Sequence, residues 1–360
     1  MSGIRLARPD LLQQAGYQTT LSRPAPADSQ IRLHCNENPW PAAGHDDPLV
    51  NRYPERQPAD LCERLAARYG VAEENVLLTR GADDAIDAVI RGFCLPGRSM
   101  IAQCVPTFAM YAFFARLHGV TVRDVPPRDD PQWSANLDGL REAARDGARL
   151  LFVCSPNNPT GSLTPAKRIL QLCRDVTDQA LVVADEAYIE FADHPGVSRQ
   201  VRSLSNLVVL RTLSKAWSLA GARIGVLLAS PELVRYLGLR VLPPYPLPRP
   251  SVQAALAALE ATTPQILEQR IGEIRQRRES LGRLLAGFSC VRRVCPGQAN
   301  FLLLEMDNAA ALVEACREQG VLVRDQSDQP GLANHVRISI GSGPETDRLL
   351  QVFRNLEVRT

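Results

Sequence analysis

The chain is nearly without lysine: two residues, Lys167 and Lys215, stand against thirty-nine arginines in 360. Arginine keeps its proton and is a poor nucleophile, whereas a desolvated lysine can lose its proton and form a Schiff base with a carbonyl. Lys167, in Pro165-Ala166-Lys167-Arg168, reads as a solvated helix residue. Lys215, in Thr212-Leu213-Ser214-Lys215-Ala216-Trp217, follows the apolar run Leu207-Val208-Val209-Leu210, which reads as a buried strand. It is the candidate catalytic amine. Other scarcities exclude whole classes. A net charge of +2 is too balanced for a protein that grips nucleic acid or an anionic membrane surface. No apolar run approaches membrane-spanning length, and Met1 to Asp10 carry no apolar leader-like stretch, so the expected location is the cytoplasm. None of the nine cysteines forms a Cys-x-x-Cys pair, and an odd number cannot all pair. They read as small buried residues in a reducing compartment, with neither a disulfide framework nor a metal site expected.

What is present is an ordinary globular composition, 45% hydrophobic and 22% charged, in a chain too long for one core. Residues 1–30 are polar and Pro-containing and read as an arm over the rest or over a partner subunit. Apolar strands then alternate with amphipathic helices: Val76 to Thr79, Ser99 to Cys104, Leu150 to Cys154, Leu181 to Ala184 and Leu207 to Leu210. That alternation predicts an α/β fold with a mostly parallel central sheet and helices on both faces. The Pro-rich segment Leu242 to Pro250 can be neither helix nor central strand and marks a boundary. The expected large domain is therefore 31–242. A smaller α+β C-terminal domain, 243–360, opens with one long helix from Ser251 to about Ala286, followed by strands near Cys290, at Phe301 to Leu304 and at Val336 to Ile340.

Several short motifs fall just after predicted strand ends, where open α/β sheets place ligands. Gly81-Ala82-Asp83-Asp84 opens a helix whose first N–H groups suit an anion, although acidic residues there also simply complement the helix dipole. Ser155-Pro156-Asn157-Asn158-Pro159-Thr160-Gly161 is, taken singly, a turn. Asp185-Glu186-Ala187-Tyr188 puts a carboxylate at an apolar strand end, where it needs a partner or caps a helix. Arg223, eight residues after Lys215, offers a forked grip on phosphate beside the close-approach glycines Gly221 and Gly225.

In this order and spacing, Asn-Pro-Thr-Gly, Asp-x-Ala-Tyr and Ser-Lys with Arg eight residues on resemble the fold-type I, class II aminotransferases that use pyridoxal 5'-phosphate. Within that group the chain resembles the histidinol-phosphate aminotransferases. The likeness is carried by Asn36-Glu37-Asn38-Pro39, Arg52-Tyr53-Pro54, Pro106-Thr107-Phe108-Ala109-Met110-Tyr111, Pro244-Tyr245-Pro246-Leu247, Arg324-Asp325-Gln326 and Val336-Arg337-Ile338.

The resemblance implies that Lys215 holds pyridoxal phosphate covalently and later moves the substrate Cα proton, while Asp185 pairs with the pyridine nitrogen. Tyr188 and Asn158 would bond the phenolic oxygen, and Phe108, where relatives commonly carry Tyr, would stack on the ring. Ala82 and Asp83, with Thr212, Ser214 and Arg223, would cup the phosphate. Tyr53 would reach the phosphate of the neighbouring subunit, which implies a homodimer. Arg337 would bind the anionic group next to Cα, with Arg324 as a second cation, and Tyr17 and Asn36 would close the mouth. The implied reaction is reversible transamination between histidinol phosphate and 2-oxoglutarate, giving imidazole acetol phosphate and glutamate in histidine biosynthesis. An aromatic amino acid aminotransferase and a threonine-phosphate decarboxylase would keep the same central residues. A cofactor-binding regulator would need a DNA-binding module for which no helix-turn-helix pattern or basic stripe is visible.

Overall fold

The computed structural model describes residues 3–16, 31–44, 47–128 and 132–357. Seven strands form the larger sheet: β1 (Val76–Thr79), β2 (Met100–Cys104), β3 (Thr121–Val125), β4 (Ala148–Cys154), β5 (Leu181–Asp185), β6 (Leu207–Thr212) and β7 (Gly225–Leu228). Their spatial order is β1-β7-β6-β5-β4-β2-β3. β7 is antiparallel to both its neighbours, and every pairing from β6 across to β3 is parallel. The sheet is thus mostly parallel, the α/β class expected from the sequence.

Alternation along the strands splits two cores. Leu78, Ala102, Leu151, Val182 and Val209 face one side, against α2 (Ala59–Tyr69), α5 (Leu137–Arg145) and α6 (Ala166–Asp175). Leu77, Ile101, Leu150, Val183 and Val208 face the other, against α3 (Gly81–Phe93), α4 (Met110–Leu117) and α7 (Pro231–Arg240). At the N-terminus, α1 (Pro9–Gln13) follows a short 3-10 turn whose Leu6, with Ala7, is buried in this second core.

The expected single helix from Ser251 is two helices, α8 (Arg249–Ala261) and α9 (Pro264–Leu285). Pro264 cannot donate to a continuing helix, and the Thr263 hydroxyl accepts from the Ile266 N–H to start a new one. Arg249 and Pro250, placed by the sequence in a non-helical segment, form the first turn of α8, where a proline costs no hydrogen bond. Leu247, Val252, Ala255, Leu267 and Ile271 pack with the first core of the large sheet, while Leu281 and Leu285 enter a separate one. That separate core lies on a four-stranded antiparallel sheet: β8 (Val291–Cys295), β9 (Phe301–Met306), β10 (Arg324–Asp325) and β11 (His335–Ser339), in the order β10-β11-β9-β8. Helices α10 (Ala309–Glu318) and α11 (Gly343–Glu357) complete it.

The topology gathers the site. β1, β4, β5 and β6 end at one edge of the large sheet, and antiparallel β7 begins there, so Gly225 pairs with both Thr212 and Thr79. A chain that leaves β6 at Thr212 therefore returns through Arg223 to the same edge.

Candidate active site

A cavity of about 450 Å³ opens over that edge. Ala82, Asp83, Phe108, Asn158, Asp185, Tyr188, Thr212, Ser214, Lys215, Arg223, Arg324 and Arg337 all line it. Twelve sequence-predicted residues, drawn from both sheets, thus meet in one hollow. Tyr53 does not line it within a single chain. Its ring, half-exposed, stacks on Tyr245 with centroids 4.7 Å apart. Asn36 is exposed and also stands apart from the lining. Their two segments are tied together by the Glu37 carboxylate, which accepts from the Tyr53 N–H at 2.7 Å and pairs with Arg32 and Arg52. Tyr17 lies outside the described residues.

Lys215 is partly buried, with its amine 5.4 Å from the centre of the Tyr188 ring. Burial pushes its pKa down, and the Arg337 guanidinium adds to this. Both favour the neutral, nucleophilic form. Across the cavity, Asp185 is 3% exposed at the end of β5. Burial pushes its pKa up, opposed by two donors to the carboxylate: the Tyr111 O–H at 2.6 Å and the Ala187 N–H at 3.1 Å. A buried carboxylate of this kind favours a cationic N–H as its partner.

At the other end the hollow is shaped for an anion. Gly81 has φ +80, and a Cβ there would lie 2.7 Å from Arg223 Nη2, so glycine lets the guanidinium settle on the start of α3. Arg223 meets Asp83 Oδ2 at 3.3 Å and is itself left-handed at φ 55. The first-turn N–H groups of Ala82 and Asp83, the hydroxyls of Thr212 and Ser214, and Arg223 together form a cup for a phosphate. Amine, buried acid and anion cup are the three features that an aromatic aldehyde phosphate requires, and the residues present fit it.

The small sheet closes the remaining side. Arg324 and Arg337 are cross-strand neighbours on β10 and β11. Arg337 donates to the side-chain Oδ1 of Asn158, and Asn158 Nδ2 lies 3.5 Å from the Tyr188 hydroxyl. Burial raises the Tyr188 pKa, keeping the phenol protonated as a donor. Gly161, at φ +74, comes so close to Gly297 that a Cβ would lie 2.8 Å from the Gly297 Cα, and the Gln298 N–H donates to the Gly161 carbonyl. The Asn-Pro-Thr-Gly turn thus seats the second sheet.

Sequence reasoning missed Thr107, Cys154, Ala187, Gln326 and Gln329, which also line the cavity. It also missed Tyr111, buried beneath it. Gln326 and Tyr111 stood in segments already singled out, but spacing alone does not say which side chain of such a segment turns inward.

A family model for class I and II aminotransferases matches residues 31–353. The chain is 41% identical over 356 residues to the histidinol-phosphate aminotransferase of Xanthomonas euvesicatoria pv. vesicatoria (strain 85-10), covering 98% of this chain and 97% of the relative. It is 42% identical to that of Xylella fastidiosa (strain 9a5c), with the same coverage. The fold matches the crystal structure of histidinol-phosphate aminotransferase from Sinorhizobium meliloti in complex with pyridoxal-5'-phosphate. The TM-score is 0.76 at 27% identity, covering 85% of this chain and 84% of that one.

Proposed function

The chain belongs to the class I and II aminotransferases and, within them, to the histidinol-phosphate aminotransferase family; from that premise we propose that it exchanges the amino group of histidinol phosphate with 2-oxoglutarate, using pyridoxal phosphate. The observation that carries the reading is the Lys215 amine facing buried Asp185 in a cavity whose rim carries Arg223, Arg324 and Arg337. Bound pyridoxal phosphate supplies an aldehyde for the amine and a ring that withdraws electrons from the substrate Cα.

Each residue then has a task. Lys215 Nζ would hold the cofactor through its aldehyde and, when free, would serve as the base and acid that moves the proton lost from the substrate Cα. Asp185 keeps a proton on the pyridine nitrogen by pairing with it as an anion. Asn158 and Tyr188 would donate toward the cofactor's phenolic oxygen, and Phe108 would hold its ring. Ala82, Asp83, Thr212, Ser214 and Arg223 retain the phosphate.

Both substrates are anionic. Arg337, fixed by Asn158, takes the acidic group nearest Cα, and exposed Arg324 adds the charge that a substrate phosphate needs. Residues 243–360 act as the small substrate-side domain against 31–242. Tyr17 and Asn36 close the mouth, and Tyr53 serves the phosphate of a partner subunit in a homodimer. Among the described residues no helix is long and apolar enough to cross a membrane, and all nine cysteines are free thiols. Both are consistent with a cytoplasmic enzyme.

The test is a coupled assay on purified protein with histidinol phosphate and 2-oxoglutarate, and phenylalanine as competing donor. Glutamate should form, with kcat/KM for histidinol phosphate at least about tenfold above that for phenylalanine, since a donor without the phosphate leaves a site built for it unpaired, at a cost of over about 1.4 kcal/mol. Preference for phenylalanine, or carbon dioxide release without glutamate, would refute the assignment.

A further inference from the structure

Tyr111 is the largest buried side chain near the site whose role the reaction does not explain. It is fully buried, stacked on Phe152 with centroids 4.6 Å apart and 17° between planes, and edge-on to Phe108 at 5.7 Å. Those two neighbours fix the ring, and the ring aims its O–H at Asp185 Oδ2, 2.6 Å away. Burial and the adjacent carboxylate push the Tyr111 pKa well up, so the phenol stays a donor at any working pH. The Cys154 thiol also lies against this phenol while donating to the Pro156 carbonyl at 3.4 Å, so Asp185 and Cys154 both face the Tyr111 O–H.

We propose that Tyr111 is a positioning residue: its O–H keeps the Asp185 carboxylate ionised and turned toward the cavity, so that the cofactor's pyridine nitrogen meets an anion. This rests on the assignment of Asp185 as the partner of that nitrogen. The need follows from the surroundings. Asp185 sits in a buried setting that favours its neutral form, with Asp83 of α3 adding like charge. Against this stand Lys215, whose own pKa is lowered, the Ala187 N–H and Tyr111. Cys154 of β4 and Tyr188 after β5 also face the carboxylate, and both have raised pKa values that keep them uncharged. The tyrosine hydroxyl is thus the principal side-chain donor holding the charge. Without it the carboxyl binds a proton at higher pH. That proton must then be displaced before the group can act as an anion.

The experiment measures the dissociation constant of pyridoxal phosphate for the full-length apoprotein by fluorescence quenching from pH 5.5 to 8. It compares wild type, Tyr111→Phe, Asp185→Asn and the double variant. Tyr111→Phe keeps the ring on Phe152 and Phe108, and circular dichroism checks that it folds. The ratio of its dissociation constant to wild type should grow as the pH falls from 8 to 5.5, toward a ceiling of about tenfold for a carboxyl pKa raised by about a unit. In the Asp185→Asn background, Tyr111→Phe should change nothing. A ratio that does not vary with pH, or a weakening by Tyr111→Phe that persists in the Asp185→Asn background, would overturn the role given to Tyr111. If Asp185→Asn itself binds the cofactor like wild type, the underlying assignment of Asp185 fails too, which separates the two failures.

Discussion

A lysine amine and a buried carboxylate at one strand edge define opposite electrostatic requirements, and each is met by different neighbours. Burial lowers the Lys215 pKa from its ordinary value of 10.5, and Arg337 adds repulsion. The group therefore binds fewer protons folded than unfolded between the two values, so stability rises with pH through that window. The cost of charging the amine is felt in full below the folded value. Lys215→Met should accordingly raise the apoprotein's Tm at neutral pH, by about 1–2 °C per kcal/mol relieved. The gain over wild type should shrink as the pH climbs toward 10.5, measured by thermal denaturation across pH. The same variant, still folded, should lose turnover by about 10⁴-fold or more, because no other amine can take its place. The other lysine cannot substitute: Lys167 is on α6, away from the cavity lining. A variant that kept transamination would end the role assigned to Lys215.

At the scale of elements, legibility followed burial except at β7, which is buried at every residue yet was passed over in the sequence. The strands read from the sequence were the continuous apolar runs, and β1, β5 and β6 are buried at every residue. β3 escaped notice because it is an edge strand paired only with β2 and its Thr-Val-Arg-Asp-Val sequence is neither an apolar run nor an alternation, and two-residue β10 has no periodicity to read. The α8–α9 break was legible in principle, since Thr263-Pro264 is a helix-start signal that helical periodicity on both sides conceals. The site motifs were legible because each follows a strand end. The close approach of Gly161 to Gly297 was not, since it joins segments 136 positions apart by 297 − 161. It carries the next prediction. Gly161→Ala places a Cβ against Gly297 Cα and should push the small sheet away from Asn158, loosening the Arg337 bond. We expect a drop of about 1–3 kcal/mol in stability and a higher KM for both amino donors, with cofactor affinity little changed. Gly320→Ala has the same left-handed strain, φ +73, but meets nothing within 4 Å, and so should lower stability while sparing KM. Denaturation and steady-state kinetics on the pair distinguish steric collision from backbone strain.

At the scale of the whole molecule, the first core of the large sheet and the core of the small sheet are held as one frame around the cavity. Helix α9 enters both, and Arg275 on it donates to the Glu190, Phe191 and Ala192 carbonyls just beyond the site. Beneath, Arg211 of β6 is buried between Glu186 and Glu190, bracing the ends of β5 and β6 that present Asp185 and Lys215. Among the described residues, one exposed apolar stretch adjoins the Tyr53 segment. Ile31, Leu33 and Trp40 are 85%, 89% and 74% exposed, in the stretch that Glu37 ties to Tyr53. Apolar exposure of this density is the kind of surface a partner can cover. If a second copy covers it and Tyr53 reaches that copy's phosphate cup, each site needs both chains, and damage in different chains must complement. Tyr53→Ala and Lys215→Ala homodimers should each be impaired, the latter severely. After unfolding and refolding together, about half the dimers should be mixed, and each mixed dimer restores one site of its two. Recovered activity should therefore approach about a quarter of wild type. Activity no higher than the average of the two separate variants would place Tyr53 in its own chain's business alone. Sedimentation of the mixture shows whether dimers formed, so a negative result cannot be mistaken for failed assembly.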